Sequence, residues 1–352
     1  MIPNYKHQYN QNYNIRFKQM YPLIKSECGN IINKISQLKE DKECVVIGIL
    51  FLDSKAKDSI LYKKIESDTY LLDDSYYFIE DDTGKVTIQL NTDVLLTTGM
   101  VLGFEGRLKD NVFDCKKIVY PNKKLVSEEK KNKEIDSLFN NQILILSNIK
   151  FNKNFDRVCT TIDFVLNNYE VRHLFFIGNI FDSKLVIDFN RFNRILSKID
   201  KVFIVPSVDD PTTIVYPLQS LSKMLFPKSD KFVFLTNPVN NDNLIVLDRY
   251  LISDLYNYLR KDDMKDDIGL CKTLLDIRNI GPTLPDTIPT YPFTDKDPFF
   301  INNCKLMIVG NSKTDIGFYN ETVILTIPDF DSMGAGIIFN SINNQIEEII
   351  LE

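Results

Sequence analysis

The sequence predicts an α/β protein that carries a separate small all-β domain behind an N-terminal helical segment. The first observation is the length, since 352 residues at about 150 residues per domain favour roughly two domains. The second is a cluster of short strand patterns between residues 44 and 119. The third is an alternation of strand and helix patterns after residue 142, which is typical of parallel sheets with crossover helices.

The composition is that of a globular chain, with 44% hydrophobic and 26% charged residues. A net charge of -6 and a pI near 5.2 argue against bulk electrostatic binding of nucleic acid, which needs a surplus of lysine and arginine. The apolar runs are far shorter than a membrane span and the N-terminus is polar, so we expect an intracellular protein. Six cysteines stand singly, without a C-x-x-C pair, which favours reduced thiols over a zinc or redox site.

The N-terminal region predicts a helix followed by a barrel. Apolar residues recur at helical spacing over 15–38, with a break expected near Pro22 and Gly29. Strand patterns follow at 44–52, 75–79, 85–90, 100–108 and 112–119. The acidic, glycine-containing turn at 80–84 is a hairpin signal. About five short strands in roughly eighty residues predict a small closed barrel, for which the OB-fold is the commonest solution.

The second half of the chain predicts a two-sheet α/β domain. Buried strand patterns at 143–146, 173–177 and 202–205 alternate with helical stripes over 155–166 and 189–199. Further strand patterns lie at 232–235 and 244–247, and helical patterns at 252–259 and 268–277. The chain ends with strand patterns at 305–309, 322–327, 335–339 and 345–351. A parallel half followed by an antiparallel half predicts a sandwich of two sheets flanked by helices.

One connection is unusually long for a compact domain. Residues 281–299 contain five prolines interleaved with aromatic residues. A non-regular loop of this length is usually functional or docked on another molecule. The other reading is a lid packed on its own domain, and the sequence does not decide between the two.

Chemistry in α/β sheets collects at the carboxyl ends of the strands. The segments at these ends are Leu146–Ile149, Ile177–Asp182, Val205–Asp210 and Val309–Lys313. Together they resemble the metal-binding loops of calcineurin-like metallophosphoesterases. Active members carry D-x-H, G-D-x-x-D, G-N-H-D/E and G-H-x-H there and hold two metal ions about 3.5–4 Å apart.

This chain departs from that pattern at most ligand positions. The residues that stand there are Ser147, Ile149, Asn179, Asp182, Val208, Asp209, Asp210, Asn311 and Lys313. An isoleucine cannot bind a metal, a neutral amide bridges poorly, and a lysine places a cation where the metal belongs. The histidines His7 and His173 do not rescue the site, since one is in the N-terminal tail and the other begins a strand. The resemblance therefore implies an inactive phosphoesterase domain with no metal and no cofactor, whose remaining aspartates cap turns.

An inactive phosphoesterase domain preceded by an OB-fold resembles the B subunits of replicative DNA polymerases. Several segments are similar in sequence to members of the family of small (second, B) subunits of DNA polymerase delta, and the similarity covers nearly the whole chain. These segments are Cys44–Phe51, Gly99–Gly106, Pro282–Thr287, Tyr291–Phe293, Asp297–Phe299, Val309–Ser312 and Ile327–Phe330. The sequence of the proline-containing loop, 281–299, is the specific part of the resemblance.

The resemblance implies a non-catalytic scaffold subunit. Its expected organisation is an N-terminal helical segment, 1–40, packing on the phosphoesterase-like domain, an OB-fold domain, 41–122, a linker, 123–139, and the inactive phosphoesterase domain, 140–352. The expected partner is the C-terminal cysteine-rich domain of the catalytic subunit of DNA polymerase delta, with a third subunit and, indirectly, the sliding clamp beyond it. We expect a nuclear protein of DNA replication and repair, with weak or indirect contact to DNA and none to membranes. The interface residues are not identified by the sequence.

Three alternatives compete with this interpretation. An OB-fold that binds single-stranded DNA would use Tyr76, Tyr77 and Phe78 as a stacking face. A small subunit of polymerase alpha or epsilon would share the architecture. An active nuclease or phosphatase, as in archaeal D-family polymerase small subunits, is disfavoured because the histidines are missing.

Overall fold

The computed structural model describes residues 10–58, 63–90, 94–121, 141–181, 189–241, 243–260, 266–292 and 295–350. The helices are α1 (Asn10–Lys25), α2 (Phe151–Asn168), α3 (Asn190–Leu196), α4 (Tyr250–Tyr256), α5 (Asp267–Asp276) and α6 (Phe330–Met333). Unit 1 comprises Met1–Ser127 and Leu251–Asn302, and unit 2 comprises Glu128–Tyr250 and Asn303–Glu352. None of the described helices is long and apolar enough to span a bilayer. The expected linker 123–139 lies outside the described residues.

Unit 1 contains the predicted barrel. Its strands are β1 (Ile31–Ile32), β2 (Glu43–Asp53), β3 (Tyr76–Asp81), β4 (Gly84–Leu90), β5 (Val101–Lys109) and β6 (Val112–Val119). The strand order is β1-β2-β3-β4-β6-β5, and an additional pairing of β2 with β5 closes the five longer strands into a barrel. The β4–β6 pair is parallel and the other pairs of the closed barrel are antiparallel. The predicted five-stranded barrel is confirmed.

Helix α1 packs on the barrel through one apolar stripe. Met20 and Ile24 are buried against Ile47, Ile49 and Val101 of β2 and β5. Of the predicted break near Pro22 and Gly29, the Pro22 part is wrong, because α1 continues through Pro22 and ends at Lys25, ahead of Gly29. A proline three residues from the end removes a single helical N–H, and the Pro22 carbonyl still accepts a hydrogen bond from the Ser26 N–H at 3.2 Å.

Residues 251–302 belong to the same compact unit as the barrel. The sequence interpretation placed them within the domain 140–352. Thr69, in the long connection between β2 and β3, donates its hydroxyl to the carbonyl oxygens of Asn257 and Leu259 at 3.0 and 2.7 Å. The rings of Tyr70 and Tyr258 meet edge to face at 5.1 Å. These contacts join 251–260 to an insertion of the barrel.

Unit 2 is a two-sheet sandwich flanked by helices, as predicted. Its strands are β7 (Gln142–Ser147), β8 (Val171–Ile177), β9 (Lys201–Val205), β10 (Phe232–Phe234), β11 (Val239–Asn241), β12 (Leu244–Asp248), β13 (Leu306–Ser312), β14 (Asp315–Tyr319), β15 (Thr322–Pro328), β16 (Ala335–Asn340) and β17 (Gln345–Ile350). The first sheet has the order β10-β9-β8-β7-β16-β17 and the second β11-β12-β13-β15-β14. One apolar core lies between the sheets, and the other lies between the first sheet and α2 and α3.

The prediction of an antiparallel C-terminal half is wrong for the second sheet. Strands β12, β13 and β15 are parallel neighbours. The short strand β14 lies at the sheet edge, outside β15, and is antiparallel to it. The chain reverses direction from β13 to β14 and again from β14 to β15, so β15 runs parallel to β13. Because β14 lies outside β15, the strands β13 and β15 remain neighbours in the sheet. In the first sheet, β16 is antiparallel to both β7 and β17, as expected for the end of the chain.

Candidate functional site

The four predicted strand ends of unit 2 meet at one edge of the sandwich. The parallel register brings Ser147, Ile177 and Val205 to the same level. The Gly178 N–H donates to the Val205 carbonyl at 2.8 Å, which holds two of the ends together. The second sheet approaches at Gly310, where an added Cβ would lie only 2.8 Å from the Ser147 Oγ. Asp182 lies outside the described residues.

The first strand end turns its side chains inward. Ser147 is fully buried, and its hydroxyl donates to the Ile177 carbonyl at 3.0 Å. Ile149 belongs to the apolar core that packs against the helices. Between them, Asn148 adopts a left-handed backbone with φ 55° and donates its amide to Asp329 at 2.7 Å. The Ser147 hydroxyl and the Asn148 amide N–H are therefore used in contacts within unit 2, whereas the Asn148 Oδ1 is buried without a hydrogen-bond partner among the described residues.

Ser207 connects the second and third strand ends. Its hydroxyl oxygen accepts the Asn179 N–H at 2.9 Å and contacts the Asn179 side-chain oxygen. Asn179 adopts the left-handed region with φ 46°, which this close turn requires. Val208 is half-buried and Asp209 is exposed.

Asp210 is the buried carboxylate of the third strand end. Its two oxygens accept the backbone N–H groups of Ser207 at 2.9 Å and Phe181 at 3.0 Å. Burial raises the pKa of Asp210 to about 6, even though these hydrogen bonds favour the charged form. The geometry is that of a turn-capping carboxylate.

The fourth strand end contributes little to the cluster. Asn311 is half-buried with φ 60°, and the Lys313 side chain is exposed. The Lys313 carbonyl accepts the Thr326 hydroxyl at 2.5 Å, which fixes the backbone rather than the charged group.

Sequence reasoning missed Asp248, the last residue of β12. It is buried, and an added Cβ on Gly178 would lie 3.5 Å from the Asp248 Cβ. Tyr216 donates its hydroxyl to Asp248 at 3.4 Å, and the Asn237 amide also bonds to it. Burial, with a smaller contribution from the charge of Asp210, raises the pKa of Asp248 to about 6. The strand pattern 244–247 was recognised, so applying the strand-end rule to it would have found this residue.

A second network missed by the sequence pins the first strand end to α6. Asp331 accepts hydrogen bonds from Lys150 at 2.9 Å, Lys153 at 2.7 Å and Asn154 at 2.9 Å. Burial opposes ionisation of Asp331, but these hydrogen bonds outweigh it and hold its pKa well below the usual range. Across the described ranges, no group of three or more His, Cys, Asp or Glu side chains is placed to hold a metal ion.

His173 lies at the amino end of β8, away from the strand ends. It is buried, and burial lowers the pKa of its imidazole. The other histidine, His7, lies outside the described residues.

The proposed stacking face on the barrel is only partly exposed. Tyr77 turns inward and donates its hydroxyl to the Leu96 carbonyl at 2.9 Å. Phe78 is half-buried and stacks on Phe51 at a centroid distance of 5.4 Å. Tyr76 is the exposed member, with 44% of its surface accessible.

The proline-containing loop packs within unit 1, although its Phe293 lies outside the described residues. Most of its described residues from Gly281 to Phe299 are buried or half-buried. Its anchor is Arg16 of α1, which is 1% exposed. The Arg16 guanidinium donates to the Asp297 carboxylate at 2.7 Å and to the carbonyls of Gly99, Gly281, Pro282 and Leu284 at 3.1, 3.3, 2.6 and 3.1 Å. Of the two readings of this loop, the structure favours the lid packed on its own unit.

Comparison with known proteins covers both units. Residues 8–118 match the family described as the DNA polymerase delta subunit OB-fold domain, and residues 181–316 match the family of the B subunits of DNA polymerases alpha and epsilon. The DNA polymerase delta small subunit of Oryza sativa subsp. japonica is 25% identical over 367 residues, which cover 88% of this chain and 83% of the relative. That of Arabidopsis thaliana is 26% identical over 399 residues, covering 95% and 88%.

Among solved structures, Vacuolar Protein Sorting 29 from Cryptosporidium parvum aligns with 59% of this chain and 95% of its own, at 8% identity and a TM-score of 0.30. The OB-fold match coincides with α1 and the closed barrel, and the second match covers part of each sheet of unit 2 together with residues 251–302 of unit 1. The alignments with the two DNA polymerase delta small subunits run through both units. The fold and the alignments agree: over nearly its whole length, the chain is similar to DNA polymerase delta small subunits.

Proposed function

We propose that this chain is a non-catalytic scaffold subunit of DNA polymerase delta that holds the C-terminal cysteine-rich domain of the catalytic subunit. Similarity to DNA polymerase delta small subunits supports its association with other polymerase subunits. The match of the barrel to the delta OB-fold favours this polymerase over alpha or epsilon.

The hydrogen bonding at the strand ends of unit 2 carries the non-catalytic part of the proposal. A dinuclear phosphoesterase needs ligands whose lone pairs are directed at the two metal ions. Here Asp210 is occupied by two backbone N–H groups, and Asn179 lies against the Ser207 hydroxyl. Ser147 bonds to a neighbouring carbonyl and Ile149 lies in the core. These contacts support a degenerate phosphoesterase site that has become part of the scaffold.

We expect the purified chain to hydrolyse a generic phosphodiester in manganese no faster than a mock preparation. The reason is that the polar residues in place of the family's metal ligands, Ser147, Asn179 and Asp210, bond to neighbouring groups of unit 2. Colorimetric release of product from a nitrophenyl phosphodiester measures the rate. Manganese-dependent turnover that disappears in the Asp210→Asn variant would contradict the degenerate-site proposal, because it would place the activity in this site.

We expect the chain to form a one-to-one complex with the cysteine-rich C-terminal region of a family-B DNA polymerase. Affinity should reside in a few buried aromatic and aliphatic anchors, so added salt should weaken this complex much less than it weakens any binding to DNA. Gel filtration of the mixed components at micromolar concentration, with and without salt, tests both expectations. Separate elution, with the metal site of the polymerase region intact, would reject the scaffold proposal.

The same proposal extends to a third polymerase subunit docked on this chain, through which the sliding clamp is reached indirectly. It also places the protein in the nucleus, in DNA replication and repair. Tagging the chain in its native cell and identifying the proteins that co-purify with it tests these extensions together.

A further inference from the structure

The outer face of the barrel carries a row of three aromatic side chains, Phe51, Phe78 and Tyr76, which we name the aromatic row. Phe51 of β2 lies directly opposite Phe78 of β3, and Asp53 lies opposite Tyr76. The Phe51 and Phe78 rings stack at 5.4 Å, and Tyr76 follows at 6.4 Å from Phe78. Because side chains two residues apart share a face, the row forms one continuous strip across two strands.

Helix α1 covers one end of this strip and leaves the other open. Tyr13 of α1 meets Phe51 edge to face at a centroid distance of 5.2 Å. At the opposite end, Tyr76 remains 44% exposed, and its hydroxyl donates to Asp53 at 2.9 Å. The hydrogen bond restrains the orientation of the Tyr76 ring, and the exposed part of the ring remains accessible to a partner.

The segment that contains Tyr76 and Phe78 is rich in carboxylates, of which Asp74 pairs with Lys55 and Glu80 lies opposite Lys85. Residues 66–82 contain seven carboxylates and no lysine or arginine. Glu80 lies on the same face of β3 as Tyr76 and Phe78, and it is exposed. A phosphate backbone would be repelled by this charge, whereas a cationic segment would be attracted.

The row already accepts a cation within the chain. The ammonium group of Lys85 lies 5.1 Å from the centre of the Phe78 ring. Lysine and arginine groups bind aromatic faces at this distance through the ring quadrupole. Tyr76 offers the same type of surface with carboxylates beside it.

We propose that the aromatic row and its neighbouring carboxylates dock an extended, arginine- or lysine-rich polypeptide segment of another polymerase subunit. The identity of the partner, another polymerase subunit, rests on the proposed function. The cationic character of the partner segment is inferred from the geometry of the aromatic row and its carboxylates. A cationic side chain of the partner lies on the Tyr76 ring, and its neighbours pair with Glu80 and Asp53.

The test measures binding of a short synthetic peptide in which arginine alternates with threonine to the full chain, by fluorescence anisotropy. We expect Tyr76→Ala to weaken binding about threefold to tenfold and Tyr76→Phe, which keeps the ring, to retain most of it. Glu80→Gln should lower both the affinity and its salt dependence. The matched controls are Phe318→Ala, an exposed aromatic residue of unit 2, and Glu321→Gln, an exposed carboxylate of unit 2.

Equal losses in Tyr76→Ala and Phe318→Ala, with thermal melting unchanged in both, would overturn the inference. Binding of oligothymidylate that depends on Tyr76 would overturn it in favour of nucleic acid. The same variants are then run in gel filtration with the polymerase C-terminal region. Peptide binding that depends on Tyr76 without capture of that region contradicts the proposed function and leaves the docking chemistry intact.

Discussion

Replacing Arg16 with alanine is expected to lower the free energy of unfolding by about 3–5 kcal/mol. The substitution removes a guanidinium that bonds to Asp297 and to four carbonyl groups, and it leaves the buried Asp297 carboxylate without its cation. An uncompensated buried charge is among the most destabilising changes that a single substitution produces. Urea unfolding followed by circular dichroism measures the loss.

The matched control is Lys18→Ala, which removes an exposed cation from the same helix and should change the stability by less than about 0.5 kcal/mol. Hydrogen exchange gives a second readout, because the loop 281–292 should lose protection in Arg16→Ala and keep it in Lys18→Ala. A loss in Arg16→Ala no larger than in the control would contradict the assignment of Arg16 as the anchor of the loop.

The barrel was accessible from the sequence because its signals are local. Alternating apolar residues and the acidic turn at 80–84 fix each strand, and β6 has the predicted bounds of 112–119. The order of the strands in the second sheet cannot be predicted from the sequence. β13 and β15 are both short apolar runs, and such a run contains no signal for the direction of its neighbour.

The packing of the proline-containing loop on Arg16 also cannot be predicted from the sequence. Arg16 and Asp297 are 281 positions apart, and neither has a local pattern that marks it as a buried pair. Arginine is rarely fully buried, so the sequence alone predicts a solvated position for Arg16 even though it stands between Ile15 and Phe17. Asp248 is a different case, since the strand-end rule that identifies Asp210 applies equally to the end of β12.

Replacing Asp248 with asparagine is expected to change how the stability depends on pH. The pKa of Asp248 is about 6 in the folded chain and 3.8 without the fold, so between these values the folded state binds more protons than the unfolded state. The free energy of unfolding therefore falls as pH rises through this window, by at most about 3 kcal/mol for this group, and is constant above it. The asparagine variant lacks this contribution. Urea unfolding across the window measures it.

The difference between the two proteins reports Asp248 together with its electrostatic coupling to Asp210, whose pKa burial also raises to about 6. His173, whose pKa is lowered by burial, makes stability rise with pH as the solution passes through its titration, but this contribution is present in both proteins and cancels. Asp209→Asn is the control, because it makes the same chemical change at a neighbouring carboxylate that is exposed. We expect the free energy of unfolding of Asp248→Asn to fall less, or rise more, with increasing pH than that of the unmodified chain and of Asp209→Asn. Three parallel curves would mean that Asp248 is ionised in the folded chain as readily as in water, and that the strand-end cluster does not hold a protonated carboxyl.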